Sequence, residues 1–163
     1  MIRDARPQDA PAIAALWNAL IRDTTVTFTR TEKPAAEVAA LIGARRRDGH
    51  AFLIAETATE TFAGFATYGQ FRGGDGYDRS MEHSIHLAPA ARGQGLGRAL
   101  MSALEDHARA RGHHSMIAGV SGENLPGQAF HAALGYAECA RIPQVGFKFG
   151  RWLDLVLMQK FLD

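Results

Sequence analysis

The chain of 163 residues reads as an α+β fold, a mixed and mostly antiparallel sheet with helices on both faces. Three observations predict it. Strand-like runs joined by a short polar turn come early, two helical periodicities precede them, and strand, helix and strand then alternate through the second half. That order implies about seven strands and about four helices. The length suits one domain over residues 1–163, and no repeat, low-complexity tract or linker divides it.

Ile2–Ala5 is a short first strand. Asp9 then caps a helix whose first turn accommodates Pro11, and Ile13, Leu16, Trp17, Leu20 and Ile21 form one apolar stripe. A second helix runs from Pro34 to Arg47, with Val38, Leu41 and Ile42 inward and Gly49 past its end. Arg45, Arg46 and Arg47 fall at that helix's C-terminus, where solvated cations complement the dipole. Ala51–Glu56 and Phe62–Gly69 pair as a hairpin through polar Thr57–Thr61. The Gly-rich stretch Phe71–Arg79 is too irregular for an element. Met81–Leu87 is the next strand, Pro89 breaks the chain, and Gly95–Arg111 is the longest helix, with Leu96, Leu100, Ala103, Leu104 and His107 on its inner face. Ser115–Val120 is a strand and Pro126–Leu134 a short helix stopped by Gly135. Ala137–Ile142, a Gly-punctuated loop and the strand Trp152–Phe161 complete the chain.

Composition narrows the function. A formal net charge of +1 supplies no basic field for nucleic acid, and no apolar run approaches the ~20 residues that span a bilayer. The charged start, Met1-Ile2-Arg3-Asp4, is unlike a signal peptide, and a lone cysteine, Cys139, forbids an internal disulfide, so a reducing cytoplasm is expected. Cys139 itself reads as a buried small hydrophobe rather than a nucleophile.

The sharpest local feature is Arg92-Gly93-Gln94-Gly95-Leu96-Gly97-Arg98, between a strand and the longest helix. First-turn N–H groups lack intrahelical partners, the dipole adds positive potential, and glycines let a phosphate approach the backbone. A P-loop requires Lys-Ser/Thr where Arg98-Ala99 stands. A dinucleotide fingerprint requires a third glycine at Arg98 and an acidic residue on the following strand, which His114–Val120 lacks. An acyl-CoA pyrophosphate turn remains.

With Arg92, Gly95 and Gly97 in that signature, and Asn124, Gly127, His131 and Gly135-Tyr136 in a second block downstream, the chain resembles the GNAT superfamily of N-acetyltransferases. Glu82-His83-Ser84-Ile85, Phe130-His131 and the run from Pro143 to Asp154 (PQVGFKFGRWLD) bring it nearest the phosphinothricin and methionine sulfoximine N-acetyltransferase branch. The resemblance implies acetyl-CoA as co-substrate, no metal, a small-molecule amine as acceptor, and a homodimer. It places Ile85, His86, Leu87, Arg92 through Arg98 and Asn124 on the CoA, and Arg72, Gly73, Gly74, Glu82, His83, Ser84 and Lys148 on the acceptor. Rival readings are acetylation of a peptide N-terminus or another amine, and a CoA-binding sensor without chemistry.

The residues themselves support an acid–base site. Strand alternation puts Glu82, Ser84 and His86 on one face and His83, Ile85 and Leu87 on the other. A carboxylate in such a half-buried run is a candidate base for the amine, directly or through a water. His131 stands where many relatives have a tyrosine thought to protonate the thiol; it is either that acid or a positioning residue. Arg72, in a glycine-rich loop, offers a fork for an acid group. His83 and His86 face opposite ways with no third ligand nearby, so a metal centre is not expected.

Overall fold

A computed structural model describes residues 1–59 and 62–163; of the hairpin connection Thr57–Thr61, Glu60 and Thr61 lie outside the described residues. Seven strands form one sheet: β1 (Ile2–Asp4), β2 (Phe52–Ala55), β3 (Gly64–Gln70), β4 (Ser80–Leu87), β5 (Ser115–Ser121), β6 (Ala137–Lys148) and β7 (Arg151–Phe161). Four α-helices accompany them: α1 (Ala10–Asp23), α2 (Ala35–Arg47), α3 (Leu96–Ala110) and α4 (Leu125–Ala133). The sheet order is β1-β2-β3-β4-β5-β7-β6, antiparallel at every junction except β4–β5. That parallel pair needs a long crossover, and α3 supplies it.

Alternating side chains divide the core into two layers. Phe52, Ile54 and Phe65 face α1 and α2, meeting Ile13, Trp17, Ile21, Val38 and Ile42. Leu53, Ala66, Tyr68 and Met81 face α3, meeting Leu100, Met101 and Leu104, with Phe130 of α4 and Leu134 just after it packed against the same layer. Helices therefore cover both faces, as the hydrophobic pattern predicts.

Local details depart from the sequence reading. Asp9 does not cap α1 with its side chain; its carboxylate accepts from the Arg6 N–H at 2.7 Å and from Arg3 at 2.9 and 3.0 Å, which ties β1 to the turn that leads into α1. The pairing with Arg3 holds the Asp9 carboxyl below the usual range. The loop expected after Ile142 is instead the rest of β6, which reaches Lys148 through register shifts against β7. Gly and Pro punctuation there marks irregular pairing rather than a strand end. Cys139 is exposed, not buried, because β6 is the sheet's outer strand. Arg45 is also not a solvated dipole partner: its guanidinium lies half-buried over the Gly69 backbone.

Candidate active site

The parallel β4–β5 junction is only half made. Its register runs from Ser80↔Ser115 to His83↔Ala118, yet β4 continues to Leu87 and β5 to Ser121. The strands part above His83. On the β3 side the bonding stays regular, ending with the Ala88 N–H on the Ala63 carbonyl at 2.9 Å. Antiparallel alternation then turns the N–H and C=O of Ile85 and Leu87 away from β3, into the gap.

A cleft of about 780 Å³ occupies that gap. Its lining includes Glu82 through Leu87, Arg92, Gly93, Gly95, Gly97, Arg98, Asn124 and His131. The structure thus gathers the predicted acid–base residues, most of the glycine turn and the splayed strand. Gln94 and Leu96 of the turn, and Arg72, Gly73, Gly74 and Lys148 of the acceptor set, do not line it. Arg72 is exposed, its guanidinium 5.8 Å from the centre of the Tyr77 ring.

The glycine turn has the predicted form. Gly93 and Gly95 take φ of 75° and 78°, and a Cβ on either would meet nothing within 4 Å, so the backbone is open to a ligand. The first intrahelical bond of α3 runs from Ala99 to the Gly95 carbonyl, leaving the N–H groups of Leu96, Gly97 and Arg98 without helical acceptors. Gly97 has an additional reason to be glycine: a Cβ there would come within 3.1 Å of the Phe130 ring. Asn124 accepts from the Gly127 N–H at 3.0 Å and caps α4, while its amide Nδ2 still carries two donors.

Glu82 sits on the α1–α2 side of the sheet, and no hydrogen bond or ion pair among the described residues engages its carboxylate. Burial raises its pKa. Its Oε1 lies 3.0 Å from where a Cβ on Gly119 would be, so the missing side chain on β5 makes room for it. An isolated glycine inside a strand is the signal that announces such a close approach. His86, on the same face, has its ring packed against Phe65 at 5.3 Å and Trp17 at 6.0 Å, and burial pushes its pKa down to about 4.

His83 and His131 meet on the opposite face, Nε2 to Nε2 at 2.9 Å. His131 Nδ1 lies 2.7 Å from the Gly127 carbonyl, which can only accept, so that nitrogen carries the proton. The neutral ring then accepts at Nε2 from the His83 N–H. Both nitrogens of His131 are committed inside the protein, and burial lowers its pKa. An imidazolium poised to donate is not what the geometry holds.

Lys148 acts one layer behind the cleft. It is 1% exposed, and its ammonium donates to the Thr24 and Thr27 carbonyls at 2.7 and 2.8 Å. Those carbonyls belong to the segment after α1, whose Val26, Thr27, Phe28 and Thr29 line the cleft. Gly146 on the same strand lacks the Cβ that would collide with the Phe28 ring. Sequence reasoning missed this segment together with Trp17, Lys33, Gly119 and Leu155, since only tertiary packing brings them to the cleft. Among the described residues no group of three or more His, Cys, Asp or Glu is arranged to hold a metal ion, and no helix is long and apolar enough to cross a membrane.

Comparison with known proteins agrees with this geometry. Residues 13–136 match the Acetyltransferase (GNAT) family. The L-methionine sulfoximine/L-methionine sulfone acetyltransferase of Pseudomonas aeruginosa is 40% identical over 162 residues, covering 99% of this chain and 94% of that one. The phosphinothricin N-acetyltransferase of Alcaligenes faecalis is 33% identical over 163 residues, covering 99% and 82%. Among solved structures, yncA of Salmonella typhimurium with its cofactor acetyl-CoA superposes with a TM-score of 0.95 at 38% identity, covering 100% of this chain and 94% of that one. Fold, half-open strand junction, glycine turn and relatives converge: the chain belongs to the GNAT family of acetyltransferases.

Proposed function

We propose that the chain transfers the acetyl group of acetyl-CoA to the α-amino group of a small amino-acid-like acceptor, of the methionine sulfoximine, methionine sulfone or phosphinothricin type. One observation carries the reading: Glu82, a carboxylate without a hydrogen-bond or ion-pair partner among the described residues, lies in the same cleft as an open helix N-terminus. The substrates in the names of two relatives, methionine sulfoximine or sulfone and phosphinothricin, support the acceptor class.

The residues present fit acetyl-CoA. Open glycines and free N–H groups from Gly93 to Arg98 suit a pyrophosphate, with Arg92 and Arg98 adding charge. The unpaired backbone of Ile85 and Leu87, with His86 between, offers a β-type ladder to the pantetheine arm, and the Asn124 amide has donors to spare. Acetyl-CoA supplies the acetyl group as a thioester whose thiol departs. The protein's part is to place an N–H, that of Leu87, on the thioester carbonyl, and to take a proton from the acceptor's ammonium at Glu82. A carboxylate with a raised pKa is a better match to an amine than an ordinary one. Ser84, on the same face, lies next along the strand. His83 and His131 shape the opposite wall as positioning residues, and Lys148 fixes the segment that closes over the acceptor.

Exposed Val145, Phe147, Phe149 and Trp152 on the β6–β7 hairpin support a homodimer through that hairpin, which light scattering coupled to gel filtration tests. The exposed free thiol of Cys139 suits the cytoplasm. The central test is an acetyl-CoA thiol-release screen. Methionine sulfone, methionine sulfoximine and phosphinothricin should turn over, and polyamines and short peptides should not. Preferential turnover of peptides or polyamines refutes the acceptor class; no turnover with any amine refutes the activity.

A further inference from the structure

We infer that Arg45 is the residue that reads the acid end of the acceptor, holding a carboxylate or oxo-acid group beside Glu82 while Glu82 meets the amine. The inference rests on the acetyl-transfer reading above.

The register of β3 and β4 sets Gly69 directly opposite Glu82. Residues opposed in this way share a face, with Cα atoms about 5 Å apart. Gly69 has no side chain, and the Arg45 guanidinium occupies the place where one would be. A Cβ on Gly69 would lie 2.5 Å from Nη1 and 2.7 Å from Cζ of Arg45. The last turn of α2 therefore delivers a cation to the position paired with the candidate base. The Glu82 carboxylate leans the other way, toward Gly119 on β5. Positive charge stands on the β3 side and negative charge on the β5 side of one sheet face; Glu82 lines the cleft, while Arg45 and Gly69 stand outside its lining.

The state of Arg45 points to a ligand. Its Nε is buried without a hydrogen-bond partner, and no ion pair among the described residues uses its guanidinium. Among the described residues, Asp48, exposed at the end of α2, is the only acidic group that acts on it. Arg3, Arg22, Arg109, Arg141 and Arg151 each hold a carboxylate. A guanidinium does not deprotonate to escape burial, so a half-buried one lacking a counter-ion is a ready acceptor for an anion, and its fork matches a carboxylate. A zwitterionic amino acid supplies both complements at once: its acid group for Arg45 and its ammonium for Glu82. Arg72, the arginine that the sequence singled out, stands three positions beyond Gly69, exposed and over Tyr77.

The test compares an α-amino acid substrate with its decarboxylated amine in the wild type, Arg45→Met, Arg45→Lys and Arg72→Ala. Arg45→Met should raise KM for the amino acid 10- to 100-fold, while KM for acetyl-CoA and kinetics with the decarboxylated amine hold within twofold. Arg45→Lys keeps the charge but loses the fork, and should fall between; it also decides the matter if Arg45→Met does not fold. The inference is overturned if both Arg45 variants keep the wild-type KM, if they impair both acceptors equally, or if Arg72→Ala alone carries the selective loss. Wild-type protein that acetylates no amino acid defeats the acetyl-transfer reading itself, and Arg45's role with it, a result distinct from unchanged variants of an active enzyme.

Discussion

On one face of β4, His83 is 7% exposed, bonded to His131 and tilted against the Tyr136 ring; on the other, one residue earlier, Glu82 has no hydrogen bond or ion pair among the described residues. Both side chains are titratable, both are substantially buried, and the same strand carries them. What separates them is the neighbour each face provides. The α3–α4 side meets His83 with groups that complete its hydrogen bonding at Nε2, whereas the α1–α2 side meets Glu82 with a glycine on either flank, Gly69 and Gly119. His83 keeps a buried Nδ1 without a partner, but its Nε2 bond to His131 fixes the ring in the wall. Glu82 has no such bond and faces the cleft, where a partly desolvated carboxylate is available for chemistry.

The largest effect expected from this contrast is on the open face. Glu82→Gln should lower turnover by about 10²-fold or more with acetyl-CoA affinity near normal, as loss of a general base implies. Its melting temperature should not fall. Burial raises the Glu82 pKa, so ionised Glu82 disfavours the folded state as pH rises above the ordinary carboxylate range, and a neutral amide removes that burden. For a chain of this size each ~1 kcal/mol of relief would correspond to a rise of roughly 2–4 °C. Wild-type turnover in this variant, read in a thiol-release assay, ends the base assignment.

The sealed face should show the reverse pattern. His131→Ala strips a partner from His83 and from the Gly127 carbonyl, costing about 1–3 kcal/mol per stranded group and several degrees of melting temperature. Turnover measured well below that temperature should stay within about tenfold of wild type, the lower bound usual for losing a direct proton donor being 10²-fold. A loss of 10³-fold with the fold intact, by circular dichroism, restores His131 as the acid.

The last effect is a slope. His86 has its pKa pushed down to about 4 and His83 is lowered too, both by burial. In the window from the ordinary histidine value to the depressed one the unfolded chain holds more protons than the native one. Stability is therefore full above that window and lost as pH falls through it, at about 1.4 kcal/mol per pH unit for each such histidine. Urea titrations between pH 7 and 4.5 should show that decline, and His86→Phe should flatten it by one proton. An unchanged slope places the proton uptake elsewhere.

Strand alternation alone put Glu82, Ser84 and His86 on one face, and the glycine turn was legible down to its free N–H groups, because both depend on neighbours within a few residues. Arg45 was not legible. Its meaning depends on α2 ending over Gly69 and on Gly69 standing opposite Glu82, which the chain's local pattern does not encode. Lys148 was placed on the acceptor by the resemblance, but its position behind the cleft was not legible, since its partners lie more than a hundred positions earlier. Cys139 was misread because a short hydrophobic residue looks alike on an edge strand and an inner one until the strand order is known.

The span of the Lys148 contacts, 124 and 121 positions to Thr24 and Thr27, also dictates when the site can exist. A chain emerging from the ribosome exposes the segment after α1 early, yet its anchor arrives only with the penultimate strand. Contacts of such separation form late, after the closure of the intervening loop has been met by other structure. Until then the roof over the acceptor has no fixed position, although the glycine turn that would receive acetyl-CoA is already made. Until residue 148 has joined β6, the segment after α1 lacks the two hydrogen bonds that hold it against the cleft.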